Sequence, residues 1–124
     1  MKALVVDDSM TIRRIVIKAL ALAGINEATE ASDGLEALEA IKSGAQFAVI
    51  LLDWNMPKMS GIETLRALRQ AGVKTPVIMV TTEAEKSRVI EAIKTGANDY
   101  LIKPFSPDQL AAKVKGLLAT AAAT

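Results

Sequence analysis

Short, almost purely apolar runs alternate along this chain with longer stretches in which apolar residues recur every three or four positions. The runs are Ala3-Leu4-Val5-Val6, Phe47-Ala48-Val49-Ile50-Leu51-Leu52, Pro76-Val77-Ile78-Met79-Val80 and Tyr100-Leu101-Ile102. Each has strand length, and each gives way to polar chain at its carboxyl end. A weaker segment, 25–31, carries Glu27 and Glu30; its polarity predicts a place at a sheet edge. Between the runs the spacing predicts helices. The first covers 9–23, with Ile12, Val16, Ala19 and Ala23 inward and Arg13, Arg14 and Lys18 toward water. Gly24 ends it. Asp33-Gly34 turns into a second helix with Leu35, Leu38 and Ile41 on one face, closed by Gly44. A third presents Ile62, Leu65 and Leu68 and ends near Gly72. A fourth covers 83–95 and stops at Gly96. Ser106-Pro107, a capping residue followed by proline at the first helical position, opens the last, which turns Leu110, Val114, Leu117 and Leu118 inward.

Five strand–helix units follow one another with no repeat and no linker. Near-continuous apolar strands imply a sheet covered on both faces. With right-handed crossovers, the arrangement is a doubly wound α/β domain with a five-stranded parallel sheet. A chain of 124 residues suits one such domain, 1–124, whose small-residue tail, 119–124, is expected to fray.

Composition narrows the chemistry. Cysteine and histidine are both absent, which removes disulfides, thiolates, imidazole bases and zinc sites of the Cys/His type. Any metal must be an oxygen-ligand metal. A net charge of +1 and few aromatics give no sign of a nucleic-acid surface. No apolar run approaches the roughly 20 residues of a membrane span. Met1-Lys2 leads straight into a strand without a signal-peptide pattern, so the cytoplasm is the expected compartment.

In a parallel sheet the carboxyl ends of the strands share an edge, and ligands bind there. That rule gathers Asp7, Asp8, Asp53, Thr81 and Lys103. Each has an ordinary explanation alone. Asp7-Asp8 and Thr81-Thr82 resemble helix caps, Asp53 a turn, and Lys103-Pro104 a strand exit. Four separate strand ends that all carry residues useful to one chemistry outweigh those readings. Clustered carboxylates repel by several kcal/mol (about) unless a cation intervenes. Magnesium prefers oxygen ligands and keeps several waters. An aspartate is already ionised at neutral pH and can attack phosphorus without a general base. The metal and Lys103 would then neutralise phosphoryl oxygens while the Thr81 hydroxyl donates to another.

The segments Val5-Val6-Asp7-Asp8-Ser9, Asp53-Trp54-Asn55-Met56-Pro57, Thr81-Thr82-Glu83 and Lys103-Pro104-Phe105 resemble the receiver domains of two-component response regulators, in order and over essentially the whole chain. With Arg13-Arg14-Ile15-Val16, they are most similar to single-domain chemotaxis-type members. The resemblance implies the flavodoxin-like strand order 2-1-3-4-5. It implies that Asp53 accepts a phosphoryl group from the phosphohistidine of a histidine kinase or phosphotransfer domain. It further implies Mg2+, with Mn2+ as a substitute, held by Asp8, Asp53 and the Asn55 backbone carbonyl, with Asp7 acting through water. Lys103 would pair with the phosphoryl oxygens, and Thr81 and Tyr100 would move together as a switch. Asn55 and Glu83 would tune the phosphoryl lifetime. The Lys103–Pro104 bond would be cis, a state found in only about 5% of X–Pro bonds. Thr82 departs from the smaller residue usual in chemotaxis-type receivers, and its bulk would slow small phosphodonors and hydrolysis.

Val89 and Ile93, with Tyr100 and Lys113, form the expected face for a downstream target, such as a flagellar switch. The chain would then be a signalling switch and not a turnover enzyme, without direct contact to nucleic acid or membrane. It could also be a receiver belonging to a longer transcriptional or relay regulator. A magnesium-dependent aspartyl-phosphate phosphatase would instead place an Asp-x-Asp pair after the first strand, with a cap segment over it; here the acids are adjacent and no cap segment is visible. Neither glycine pattern of nucleotide-binding loops occurs.

Overall fold

The computed structural model describes residues 1–123. Strands and helices alternate: β1 (Lys2–Val6), α1 (Met10–Leu22), β2 (Glu27–Ala31), α2 (Gly34–Lys42), β3 (Val49–Leu52), α3 (Gly61–Gln70), β4 (Val77–Thr81), α4 (Lys86–Thr95), β5 (Asp99–Ile102) and α5 (Pro107–Ala123). All strand pairs are parallel, and the order is β2-β1-β3-β4-β5. This is the doubly wound sheet that the sequence predicts.

Alternation along the strands divides the core in two. Leu4, Val6, Ile50, Leu52, Val77 and Met79 face one way and pack with Ala37 of α2, Leu65 and Leu68 of α3, and Ala92 of α4. Ala3, Val5, Val49, Leu51, Ile78 and Val80 face the other way, toward Val16 and Leu20 of α1 and Leu110 and Val114 of α5. Each fully buried aliphatic side chain contributes roughly 1.5–3 kcal/mol, so these two layers dominate stability. The polar strand β2 lies at one edge, as its glutamates require, and β5 at the other, where Ile102 is exposed.

Several expectations need correction. On α2 the inward residues are Gly34 and Ala37, with Leu38 and Ile41 half-buried; Leu35 is exposed. Asp33 caps the helix by accepting from the Glu36 N–H, so Leu35 falls in the first turn on the solvent side. A Cβ at Gly34 would overlap Thr64 and Met59, which is why α2 can approach α3 there. Helix α4 begins at Lys86 and not at residue 83: Glu85, at its cap position, still has extended backbone. Strand β3 starts at Val49, although Phe47 is buried. Arg13 does not point to water; its side chain is 13% exposed and folds back onto the strand ends. Ser106 does cap α5: its hydroxyl accepts from the Gln109 N–H while the Gln109 side chain accepts from the Ser106 N–H. The fraying expected over 119–124 falls partly on Thr124, outside the described residues.

Candidate functional site

The sheet edge is extended one residue beyond three strands, and those residues are the chemical ones. The Asp7 N–H donates to the Ala31 carbonyl at 3.1 Å, that of Asp53 to Val6 at 3.0 Å, and that of Lys103 to Thr81 at 2.9 Å. Parallel register places Val6 opposite Leu52, and Thr81 opposite Ile102. The side chains that follow therefore emerge into one notch.

Carboxylate oxygens of Asp7, Asp8 and Asp53 lie within 4.8 Å of one another. The Lys103 ammonium enters from the side, donating to Asp7 Oδ2 at 2.8 Å and to Asp53 Oδ2 at 3.2 Å. Asp7 and Asp53 are buried and Asp8 is exposed, so the notch has two deep acids and one at its mouth. The remaining oxygens of the deep pair are held by backbone: Asp53 Oδ1 accepts from the Trp54 N–H at 2.7 Å, and Asp7 Oδ1 from the Ser9 N–H at 2.9 Å. One ammonium faces three carboxylates, and the excess negative charge fits a hard divalent cation. An all-oxygen donor set with a solvent-facing member suits an ion that keeps part of its water.

Burial pushes the Asp53 carboxyl above its ordinary value, and the Asp7 charge adds to this while Lys103 opposes it. Burial alone would lower Lys103, but hydrogen bonds and charge from Asp7 and Asp53 outweigh it and leave the ammonium raised. Lys103 is thus charged at neutral pH, its bonds to the acids offsetting its desolvation.

A second set of contacts runs from the notch toward α4. Thr81 is fully buried at the end of β4, and its hydroxyl accepts from the Glu83 N–H at 3.2 Å. The Tyr100 hydroxyl donates to the Glu83 carbonyl at 2.5 Å, its ring half-buried against the core. Burial, aided by Glu83 and Asp53, raises the Tyr100 phenol.

Asn55 is exposed in the loop after Trp54. Thr82 is exposed and lines a cavity of about 330 Å³ with Ile12, Ile15, Pro104, Phe105 and Lys103. The Lys103–Pro104 peptide is cis. On α4, Val89 is half-buried and Ile93 exposed. Lys113 donates to Asp99 at 3.0 Å.

Three contributors were not foreseen. Gly61 donates its N–H to the Trp54 carbonyl at 2.7 Å, and a Cβ there would overlap the Asp53 carbonyl; only glycine lets α3 seat against the central acid. The Ser60-x-x-Glu63 pattern that starts α3 was the available signal. Trp54 is buried, and the Arg88 guanidinium lies 5.3 Å from its ring centroid. Arg13 donates to the Asp7 carbonyl at 2.7 Å.

An acidic notch opposed by a lysine at the carboxyl edge of a 2-1-3-4-5 sheet defines a class, and the chain belongs to it: residues 3–115 match the response regulator receiver domain family. Within that family it is similar to chemotaxis protein CheY1 of Helicobacter pylori, 43% identical over 122 residues that cover 97% of this chain and 98% of the relative. Among solved structures, the Francisella response regulator 1452 receiver domain superposes with a TM-score of 0.89 at 38% identity, covering 97% of this chain and 98% of that one. Vibrio cholerae chemotaxis protein CheY4 superposes with a TM-score of 0.83 at 42% identity, covering 94% and 97%. Among the described residues no helix is long and apolar enough to cross a membrane.

Proposed function

We propose that this receiver is a phosphorylation-controlled switch in chemotaxis signalling, with Asp53 as phosphoacceptor and Mg2+, or Mn2+ in its place, as cofactor. The supporting observation is the placement of Asp53: a buried carboxylate with Lys103 at 3.2 Å and the oxygens of Asp7 and Asp8 within reach. Asp8, Asp53 and the Asn55 backbone carbonyl would hold the cation, with Asp7 acting through water. Bound there, it would supply positive charge to the phosphoryl oxygens.

The donor is the phosphohistidine of a histidine kinase or phosphotransfer domain. An Asp53 oxygen attacks phosphorus, the P–N bond breaks, and the imidazole nitrogen keeps the electron pair. Lys103 pairs with a phosphoryl oxygen, and the Thr81 hydroxyl reaches another by giving up the Glu83 N–H. That movement loosens the Glu83 loop to which Tyr100 is bonded, so charge at Asp53 is transmitted to α4. Val89, Ile93, Tyr100 and Lys113 form the face read by a downstream target at a flagellar motor, a reading supported by chemotaxis relatives of nearly equal length. Asn55, Glu83 and Thr82 set how long the acyl phosphate lasts, because they stand around the approach of water. The site would work in the cytoplasm on its own phosphoryl group and would not turn over a separate substrate.

Intact-mass measurement after incubation with Mg2+ and a small phosphodonor tests this. One added phosphoryl group is expected, absent without the cation and absent in Asp53→Asn. Phosphate release from many esters at catalytic amounts would instead indicate a phosphatase.

A further inference from the structure

Leaving β1, the chain must place two acids in the notch and start α1 within three residues. The Asp7 N–H continues the ladder to Ala31, but the Asp7 carbonyl lies beyond the last pair of the β1–β3 register. Its donor is a side chain: Arg13 Nη1, at 2.7 Å. The same guanidinium donates through Nε to Glu30 Oε1 at 2.8 Å. Glu30 sits one residue before the end of edge strand β2. Arg13 is thus stretched between two strand ends, with its side chain 13% exposed although its helical position points outward. A guanidinium presents its donors in a rigid fork, so one side chain can fix two acceptors in a set geometry.

We infer that Arg13 is a positioning residue for the cation site, tying the Asp7-Asp8 corner to β2 through Glu30. Lys103 and Arg13 divide the work. Lys103 holds the carboxylates themselves, whereas Arg13 touches no carboxylate of the notch and holds the backbone from which two of them project. The polar character of β2 has a reason on this view: Glu30 orients the arginine. Loss of Arg13 leaves every acid in place but lets the corner sample orientations that a divalent ion must then restrict on binding. Cation affinity falls, while the rate at saturating cation stays near its original value because the groups that face phosphorus are untouched.

The inference rests on the proposed magnesium site, and the test separates the two. Mg2+ alone is titrated into the full chain by calorimetry and by fluorescence of Trp54, the single tryptophan, whose backbone N–H donates to Asp53. Arg13→Met, which keeps an apolar stem, is expected to weaken Mg2+ binding about tenfold, the lower end for loss of a group that orients metal ligands. Arg13→Lys and Glu30→Ala should each weaken it about threefold, by partial loss of the same clamp. In phosphodonor assays the Mg2+ concentration giving half-maximal rate should rise in parallel, with the rate at saturation within about twofold. Wild-type affinity in Arg13→Lys and Glu30→Ala overturns the inference even if Arg13→Met fails to fold. Equal losses of affinity and saturating rate overturn it too. If wild-type protein takes up no Mg2+, or Asp8→Asn binds it equally well, the magnesium reading itself falls.

Discussion

Helices α3 and α4 are both ten residues long and pack on the same face of the sheet, yet they are anchored in opposite ways. Helix α3 opens with a complete capping box: the Ser60 hydroxyl accepts from the Glu63 N–H at 3.3 Å, and the Glu63 side chain accepts from the Ser60 N–H at 3.0 Å. It buries Gly61, Ile62, Thr64, Leu65 and Leu68. Helix α4 has Glu85 at its cap position with no side-chain bond, and of its residues only Ala92 is buried. Ile90 and Ile93 are 42% and 47% exposed. A cap is worth about 1 kcal/mol and each buried aliphatic side chain roughly 1.5–3 kcal/mol, so α3 is held far more firmly. The firm helix seats the loop of Asp53; the loosely held one follows Thr81 and Glu83. The proposed switch needs both, a fixed carboxylate at position 53 and an element whose position a small change can shift.

The contrast can be broken most forcefully at Gly61. Gly61→Ala must displace the Asp53 backbone and is expected to cost about 2–3 kcal/mol in urea denaturation, the scale of a strained insertion into a packed site. Ile93→Ser on α4 should stay within about 0.5 kcal/mol of the parent, as exposed substitutions do. Comparable losses in the two variants would erase the difference between the helices. A smaller effect comes from the caps. Ser60→Ala should cost about 1 kcal/mol, whereas Glu85→Ser should add about 0.5 kcal/mol or more by supplying α4 with the cap it lacks. Hydrogen exchange sharpens the same point, with α3 amides protected well beyond those of α4.

The charge that α3 helps to hold gives a third test. Asp53 is raised from 3.8, chiefly by burial, so the folded state binds its proton more tightly than the unfolded state does. The stability associated with that proton is present below 3.8 and is lost as pH rises through the folded value. Asp53→Asn should therefore be more stable than the parent at neutral pH, and thermal melts should show the advantage shrinking as pH falls toward 3.8. An advantage independent of pH would contradict the assignment. Comparable in size to the caps is Arg88→Ala. It removes the guanidinium from the Trp54 ring and ion pairs of 3.8 and 3.6 Å to Glu83 and Glu91. At a half-exposed site the loss should be about 0.5–1 kcal/mol by denaturation, with a change in Trp54 emission.

The same contrast explains what could be read from the chain. Strands β1, β3 and β4 are legible because both their faces are covered, which makes them unbroken apolar runs. The acids are legible because they follow β1 and β3 directly, and Lys103 because it follows the short apolar run of β5. The start of α4 is not, since no side-chain cap marks it: Glu85 stands at the cap position without a side-chain bond. Leu35 was misplaced because apolar spacing alone does not show where a cap begins the first turn. Arg13 looks solvated because its partner, Glu30, lies 17 positions away. The need for glycine at 61 depends on the Asp53 carbonyl, a contact made only after folding.

The central claim is that the buried carboxylate at position 53 forms an acyl phosphate. Phosphodonor and Mg2+ followed by borohydride, which reduces an aspartyl phosphate to homoserine, tests it directly when peptides are sequenced by mass spectrometry. Homoserine at position 53 alone, and only when the cation is supplied, is the expected result. Conversion at Asp7 or Asp8, or at no aspartate, would contradict the account.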